Sequence, residues 1–262
     1  MKKLGFIGCG NMGFAIIKGI IDGKKLKSNE IICYDIIKDL LDNLAAKTKI
    51  IKAKDNIEIV KKSKIIVLAL KPHIYEIVLS EIGKFLTDEH IIVGMTPDVK
   101  ISQIKAMANL ENLKVVRIMP NTPAQVLAGV TGISFSKEIT DDEKKFFMEL
   151  FSAFSEVFEL PENMIKALGT LSGCTPAFTY MFIEAIAQGG ISLGFDKDTA
   201  YKIAAQTVLG SAQMVKQVKK HPAQLRDEVC SPKGTTIEGV KFLEASGFKG
   251  QIMEAMDKTY WE

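Results

Sequence analysis

Three glycines stand close together near the start of the chain, in Gly8-Cys9-Gly10-Asn11-Met12-Gly13. The spacing Gly-x-Gly-x-x-Gly acquires meaning between a strand and a helix, where bare backbone can approach a pyrophosphate. The strand-like run Leu4–Ile7 precedes it, and a helical pattern over 12–21 follows. Gly8 then allows the tight turn, Gly10 lets the backbone meet the phosphates, and Gly13 lets helix and strand pack closely. Asn11 and Met12 open the helix, whose free N–H groups and partial positive charge complement an anion. The ligand expected is a nicotinamide dinucleotide, NADPH or NADH. Asp35, 22 residues after Gly13, stands where an acidic residue holds the adenosine ribose hydroxyls. A carboxylate there favours NADH and repels a 2′-phosphate, and the nearest base is Lys38. Asp35 has a second reading, as a cap for the helix expected over 36–46. Asn56 also has two, contact with the adenosine or capping of its own helix. Ala69, Lys71 and Pro72 end a buried strand on the side where open α/β sheets take ligands. Pro72 is expected to start a helix, and Lys71 faces either the cofactor or solvent. Met119-Pro120-Asn121 follows another strand end and is expected under the nicotinamide. Pro120 and Pro123 stiffen that loop; a rigid turn without ligand contact is the alternative.

A second set of chemical groups lies near the other end of the chain. Thr235-Thr236-Ile237-Glu238 fits a capping box, with Thr235 as N-cap and Glu238 three residues later. A helix starting there offers free N–H groups to a carboxylate. With the Thr235 hydroxyl on the cap, the Thr236 hydroxyl is free to face a substrate. Ser231 and Gly234 shape the same loop. A plain capped surface helix is the alternative.

The elements that must position these groups alternate over the first 160 residues. Strands are expected over 3–7, 31–34, 64–70, 91–94, 114–119 and 132–135, and helices over 12–21, 36–46 and 56–61. Ile65 to Leu70 is continuously apolar, as a strand buried on both faces should be. Strand and helix in alternation predict an α/β fold, a doubly wound, mostly parallel sheet of Rossmann type. After Pro161 the pattern becomes helical. Residues 198–219 carry apolar side chains at helical spacing, capped by Asp196 or Asp198. Residues 171–193 read as a helix that is apolar on most sides and must be buried. The expected division is a dinucleotide-binding domain over 1–160 and an all-helical dimerisation and substrate domain over 161–262, in an obligate homodimer.

Composition narrows the class. The 262 residues carry 34 Lys and Arg against 31 Asp and Glu. A net charge of +3 with only short, scattered lysine pairs does not describe a nucleic-acid binder. No apolar run is long enough to span a membrane, and the Met1 end reads as no signal segment. Cys9, Cys33, Cys174 and Cys230 are far apart, without a Cys-x-x-Cys pair, and His73, His90 and His221 lack metal-ligand spacing. No metal is expected, and a reducing cytoplasm fits.

Three further segments carry a family resemblance. They are Arg117-Ile118-Met119-Pro120-Asn121-Thr122-Pro123-Ala124, then Leu171-Ser172-Gly173-Cys174-Thr175-Pro176-Ala177-Phe178, then the run from His221 to Ile237. With the glycine loop, in this order, they resemble pyrroline-5-carboxylate reductase over essentially the whole chain. The resemblance implies a Rossmann domain, a helical dimerisation domain and often a ring of dimers, a decamer. It implies that NADPH or NADH reduces (S)-1-pyrroline-5-carboxylate to L-proline, the last step of proline synthesis. The resemblance implies that many members accept both cofactors and commonly use NADPH, which pulls against the reading of Asp35. The threonine matching Thr236 sits beside the imine nitrogen in the family, which makes Thr236 the expected catalytic contact. Two positions depart from the pattern. The family usually has glycine in place of Thr175, and commonly glycine in place of Lys233.

Reduction of a cyclic imine asks little of side chains. The ring nitrogen can be protonated before or during binding, and the iminium carbon then accepts hydride directly once it is held close to the reductant. No His or Asp general acid is required. Two other readings remain open on the residues. A 3-hydroxyacid dehydrogenase shares a similar opening and would use a lysine such as Lys166, though the glycine-rich surroundings of that lysine are missing. A dinucleotide-binding regulator without catalysis would leave the 231–237 segment unexplained. The residues leave the ring size of the imine open, because one methylene is worth only about 1–3 kcal/mol in a pocket.

Overall fold

A computed structural model describes residues 2–261 of the chain, leaving Met1 and Glu262 outside the described residues. The chain forms two compact units, Met1–Gly173 and Cys174–Glu262.

Unit 1 is built on eight strands, β1 (Lys2–Ile7), β2 (Ile31–Tyr34), β3 (Ile51–Lys52), β4 (Ser63–Leu68), β5 (Ile91–Gly94), β6 (Lys114–Pro120), β7 (Gly129–Phe135) and β8 (Ser155–Glu159). Its helices are α1 (Asn11–Asp22), α2 (Lys38–Thr48), α3 (Asn56–Lys62), α4 (Tyr75–Ile82), α5 (Ile101–Ala108), α6 (Asp141–Phe151) and α7 (Ile165–Leu168). The strand order is β3-β2-β1-β4-β5-β6-β7-β8. Every pairing is parallel except β6 with β7. The order reverses between β1 and β4, with Gly5 opposite Ile66 and Ile7 opposite Leu68.

Successive side chains of a strand point to opposite faces, and β4 shows the result. Ile65 and Val67 join a core with Ile16, Ile17 and Ile20 of α1, Leu44 of α2 and Phe147 of α6. Ile66 and Leu68 join a second core with Ile59 of α3, Leu79 and Ile82 of α4 and Ile104 of α5. Helices therefore cover both faces, and the expected doubly wound, mostly parallel sheet is present.

Several expected bounds shift. β3 and β8 were not anticipated: one has two residues, and the other, at the sheet edge, mixes buried and exposed positions. The strand expected to reach residue 70 ends at Leu68. The helix expected from Ile36 begins at Lys38, because Asp35 turns the chain by accepting from the Ile37 N–H at 2.8 Å. By packing, unit 1 extends past the expected boundary at 160. Glu162 pairs with Arg117 of β6, Ile165 is buried, and the Leu168 side chain fills the space beside Gly132 of β7.

Among the described residues, unit 2 holds five helices, α8 (Thr175–Ser192), α9 (Lys197–Val218), α10 (Pro222–Val229), α11 (Thr235–Ala245) and α12 (Phe248–Trp261). The helix expected over 171–193 is split. A π-helical stretch, Gly169–Cys174, precedes α8, which starts at Thr175. Asp196 caps α9 by accepting from the Thr199 N–H at 3.0 Å. The buried apolar cluster of this unit is small: Ala187, Ala200 and Ala204 where α8 meets α9. Leu193 is 83% and Phe242 73% exposed in the single chain.

Candidate active site

The carboxyl ends of β1, β4, β5 and β6 meet at the switch point of the sheet, where open α/β sheets take ligands. A groove of about 290 Å³ lies there. It is lined by the glycine loop Gly10 to Gly13, by Ala69, Leu70 and Lys71 after β4, by Met95 and Pro97 after β5, and by Met119 and Pro120 of β6.

The loop has the geometry that its glycines suggest. Gly8 has φ +93°, and a Cβ there would collide with the Ala69 carbonyl oxygen. A Cβ on Gly13 would sit 3.0 Å from the Gly8 carbonyl oxygen, so α1 approaches the strand as closely as glycine permits. Around Gly10 there is open space, and no side chain caps the start of α1. Its first N–H groups are available to an anion. The residues present therefore fit a dinucleotide pyrophosphate.

Asp35 is tied to this loop. Its Oδ2 accepts from the Cys9 N–H at 2.7 Å, and its Oδ1 from the Ile37 N–H. It is not the cap of α2; Ile37 holds the N-cap position without a side-chain bond. Ile36, next to Asp35, is 85% exposed and offers an apolar surface beside the carboxylate. The Cys33 thiol under the loop is pushed well above its ordinary range by its hydrogen bond with Cys9 and by burial. It is a packing thiol, not a nucleophile.

Asn56 does not cap α3. Asp55 does, accepting from the Glu58 N–H at 2.7 Å. Asn56 donates from Nδ2 to Glu81 at 2.8 Å, while its Oδ1 is buried without a partner. Pro72 starts a short 3-10 turn, Pro72–Ile74, ahead of α4, and Lys71 is exposed at its head. Met119 lines the groove. Asn121 is buried and works on the backbone: its Nδ2 donates to the Ser172 carbonyl at 2.9 Å and its Oδ1 accepts from the Val130 N–H at 2.8 Å.

Met95 and Pro97 were missed in the sequence, because nothing in their types marks them. What brings them to the groove is the end of β5 and a buried side chain, Tyr75. The Tyr75 hydroxyl donates to the Leu68 carbonyl and accepts from the Met95 N–H, both at 2.9 Å. Burial pushes the Tyr75 phenol up, so it stays a donor.

The threonine turn in unit 2 departs from the expected capping box. Gly234, not Thr235, is the N-cap of α11, and no side chain caps it. The Gly234 N–H bonds the Ser231 carbonyl at 3.0 Å, closing the turn one residue earlier, so Thr235 is already helical. Glu238 pairs instead with Lys241 at 3.1 Å. The first N–H groups of α11 are thereby left to an anion. Lys233 has φ +59°, in the left-handed region. That conformation explains why glycine is the usual choice there. No structural reason emerges for Thr175, the first residue of α8.

A glycine loop at the switch point of a doubly wound sheet, with a groove running on to Met119, defines a dinucleotide-dependent oxidoreductase. Residues 162–261 match the family described as pyrroline-5-carboxylate reductase dimerisation, and residues 3–98 the family described as NADP oxidoreductase, coenzyme F420-dependent. The chain is 40% identical over 257 residues to pyrroline-5-carboxylate reductase of Escherichia coli, covering 98% of this chain and 95% of that one. The solved reductase of Coxiella burnetii is similar with a TM-score of 0.89 at 30% identity, over 99% of this chain and 96% of that one. That of Plasmodium falciparum, solved with NADP bound, also gives 0.89 at 30% identity, over 98% and 95%. The chain belongs to the pyrroline-5-carboxylate reductase family. It is an NAD(P)H-dependent oxidoreductase with an oligomerising helical domain. Among the described residues no group of His, Cys, Asp and Glu is placed to hold a metal, and no helix is long and apolar enough to cross a membrane.

Proposed function

We propose that the chain reduces (S)-1-pyrroline-5-carboxylate to L-proline, the last step of proline synthesis. The observation that carries this reading is the uncapped first turn of α11 directly after the Ser231–Gly234 turn. It suits a small carboxylate. The Thr236 hydroxyl is proposed to hydrogen-bond the ring nitrogen, with Ser231, Gly234 and Thr235 shaping the turn. The nitrogen can be protonated before or during binding, so a side-chain acid is not obligatory.

In unit 1, Gly8, Gly10, Asn11, Met12 and Gly13 would hold the pyrophosphate. Asp35 and Asn56 would lie toward the adenosine, and Ala69, Lys71, Pro72 and Met119 toward the nicotinamide. Asn121 would serve by holding the floor of that half. The bound NADPH or NADH supplies the hydride. Either reductant suits the loop, and Asp35 with Ile36 favours NADH. The functional division follows the sequence boundary, 1–160 for the dinucleotide and 161–262 for the substrate and dimerisation. The exposed apolar side chains of unit 2 support a homodimer, and the ring of dimers is its extension. Four free cysteines support a cytoplasmic setting.

The test is reduced-nicotinamide oxidation by the purified protein with and without the imine. Oxidation that requires the imine is expected. No oxidation in the presence of the imine, from a folded protein that binds a dinucleotide, would end this reading. Thr236→Ala should lower kcat/KM about ten- to a hundredfold, since each 1.36 kcal/mol is tenfold. Unchanged kinetics would remove Thr236 from the reaction.

A further inference from the structure

Arg117 opens the Arg117–Ala124 segment, yet none of the roles above uses it. It lies on β6 opposite Gly94, the last residue of β5, and is only 3% exposed. Its Nη2 donates to two backbone carbonyls of the turn after β5, Thr96 at 3.1 Å and Pro97 at 2.9 Å. Its Nη1 donates to Glu162 Oε1 at 2.9 Å. The same carboxylate oxygen accepts from the Ile101 N–H at 2.6 Å, at the start of α5. Past Glu162 the chain returns to the groove. A Cβ on Gly169 would stand 3.1 Å from Met119 Cε and 3.9 Å from Pro97 Cβ. One guanidinium thus ties the 95–97 turn to the 162–173 segment, and both pack beside Met119.

We infer that Arg117, held by Glu162, is a positioning residue that sets the Met95–Pro97 wall of the dinucleotide groove. It touches neither cofactor nor substrate; it acts through the backbone it fixes. Planar guanidinium geometry matters here, because three acceptors in different directions need donors at fixed angles. A lysine ammonium at the end of a flexible stem cannot match them. This inference rests on the proposed dinucleotide role of the groove and does not depend on the identity of the imine.

The experiment compares wild type with Arg117→Lys and Glu162→Gln. NADPH and NADH binding is titrated by fluorescence, amide exchange is followed over residues 95–101, and thermal unfolding is recorded. Arg117→Lys is expected to weaken dinucleotide binding about tenfold, or 1.4 kcal/mol, with faster exchange of the Met95 amide and unchanged exchange in α1. Glu162→Gln keeps the acceptor for Ile101 but loses the charge, and should shift both readouts in the same direction by less. If Arg117→Lys does not fold, Glu162→Gln decides. A lower Tm with unchanged affinity and unchanged exchange, measured well below both transitions, would make the ion pair a stability element and overturn the inference. Failure of the wild type to oxidise either cofactor with the imine would bear on the proposed reaction alone.

Discussion

Asp35 illustrates how one side chain can serve two ends. Its carboxylate braces the glycine loop through Cys9 and turns the chain through Ile37. In the proposed dinucleotide role its charge would also oppose a 2′-phosphate. Asp35→Asn keeps the shape and one acceptor but removes the charge. The ratio of kcat/KM for NADPH over NADH should rise about tenfold, equal to 1.36 kcal/mol of differential binding. Steady-state rates with both cofactors measure it; an equal fall for both would assign Asp35 to the loop alone. Lys233 gives the opposite case, a residue at odds with its backbone. A left-handed L-residue costs about 1–2 kcal/mol, while glycine loses about 0.5–1 kcal/mol of chain entropy. Lys233→Gly should therefore stabilise the protein by up to about 1 kcal/mol, read as a higher denaturant midpoint. At this scale the glycine spacing was legible and the partners were not. Cys9 and Asp35 stand 26 positions apart and Arg117 and Glu162 stand 45 apart, separations that only the fold closes.

Among elements, the link between α5 and the chain after β7 shows how charge reinforces packing. Lys105 of α5 pairs with Glu138 at 2.8 Å, with both side chains largely buried. Burial opposes ionisation of Glu138, but Lys105 and Ser136 outweigh it and hold the carboxyl below its ordinary value. A depressed carboxyl stabilises the fold above its unfolded value, near 4.5, and that contribution is lost as pH falls through the lower folded value. Glu138→Gln should destabilise unit 1 by about 2 kcal/mol at neutral pH, and the gap to wild type should close in acid. Unfolding midpoints across pH would show it, and a gap constant with pH would contradict it. Most elements were legible because β-rich runs, above all the unbroken Ile65–Leu70, alternate with helical patterns. β3 is too short to carry a pattern, and β8 is half exposed. The start of α3 matches its expected residue, those of α1 and α2 differ by one and two residues, and that of α8 differs by four. The cap of α11 fell to Gly234 because the Ser231 carbonyl closes the turn first, a choice invisible in a Thr-x-x-Glu spacing.

For the whole molecule, the contrast between the units is one of interior. Unit 1 has two apolar cores, one on each face of its sheet. Unit 2 closes on three alanines and leaves Phe242 and Met253 largely exposed. The double change Phe242→Glu with Met253→Glu should shift the protein to smaller species in sedimentation, because a buried charge opposes association strongly. An unchanged distribution would place the oligomeric surface elsewhere. A helical unit with so little of its own interior is expected to draw its order from association. Its folding then obeys mass action, and the melting temperature should climb with protein concentration. In a dilute cuvette the specific activity should decay as subunits part, and a concentrated stock should restore it.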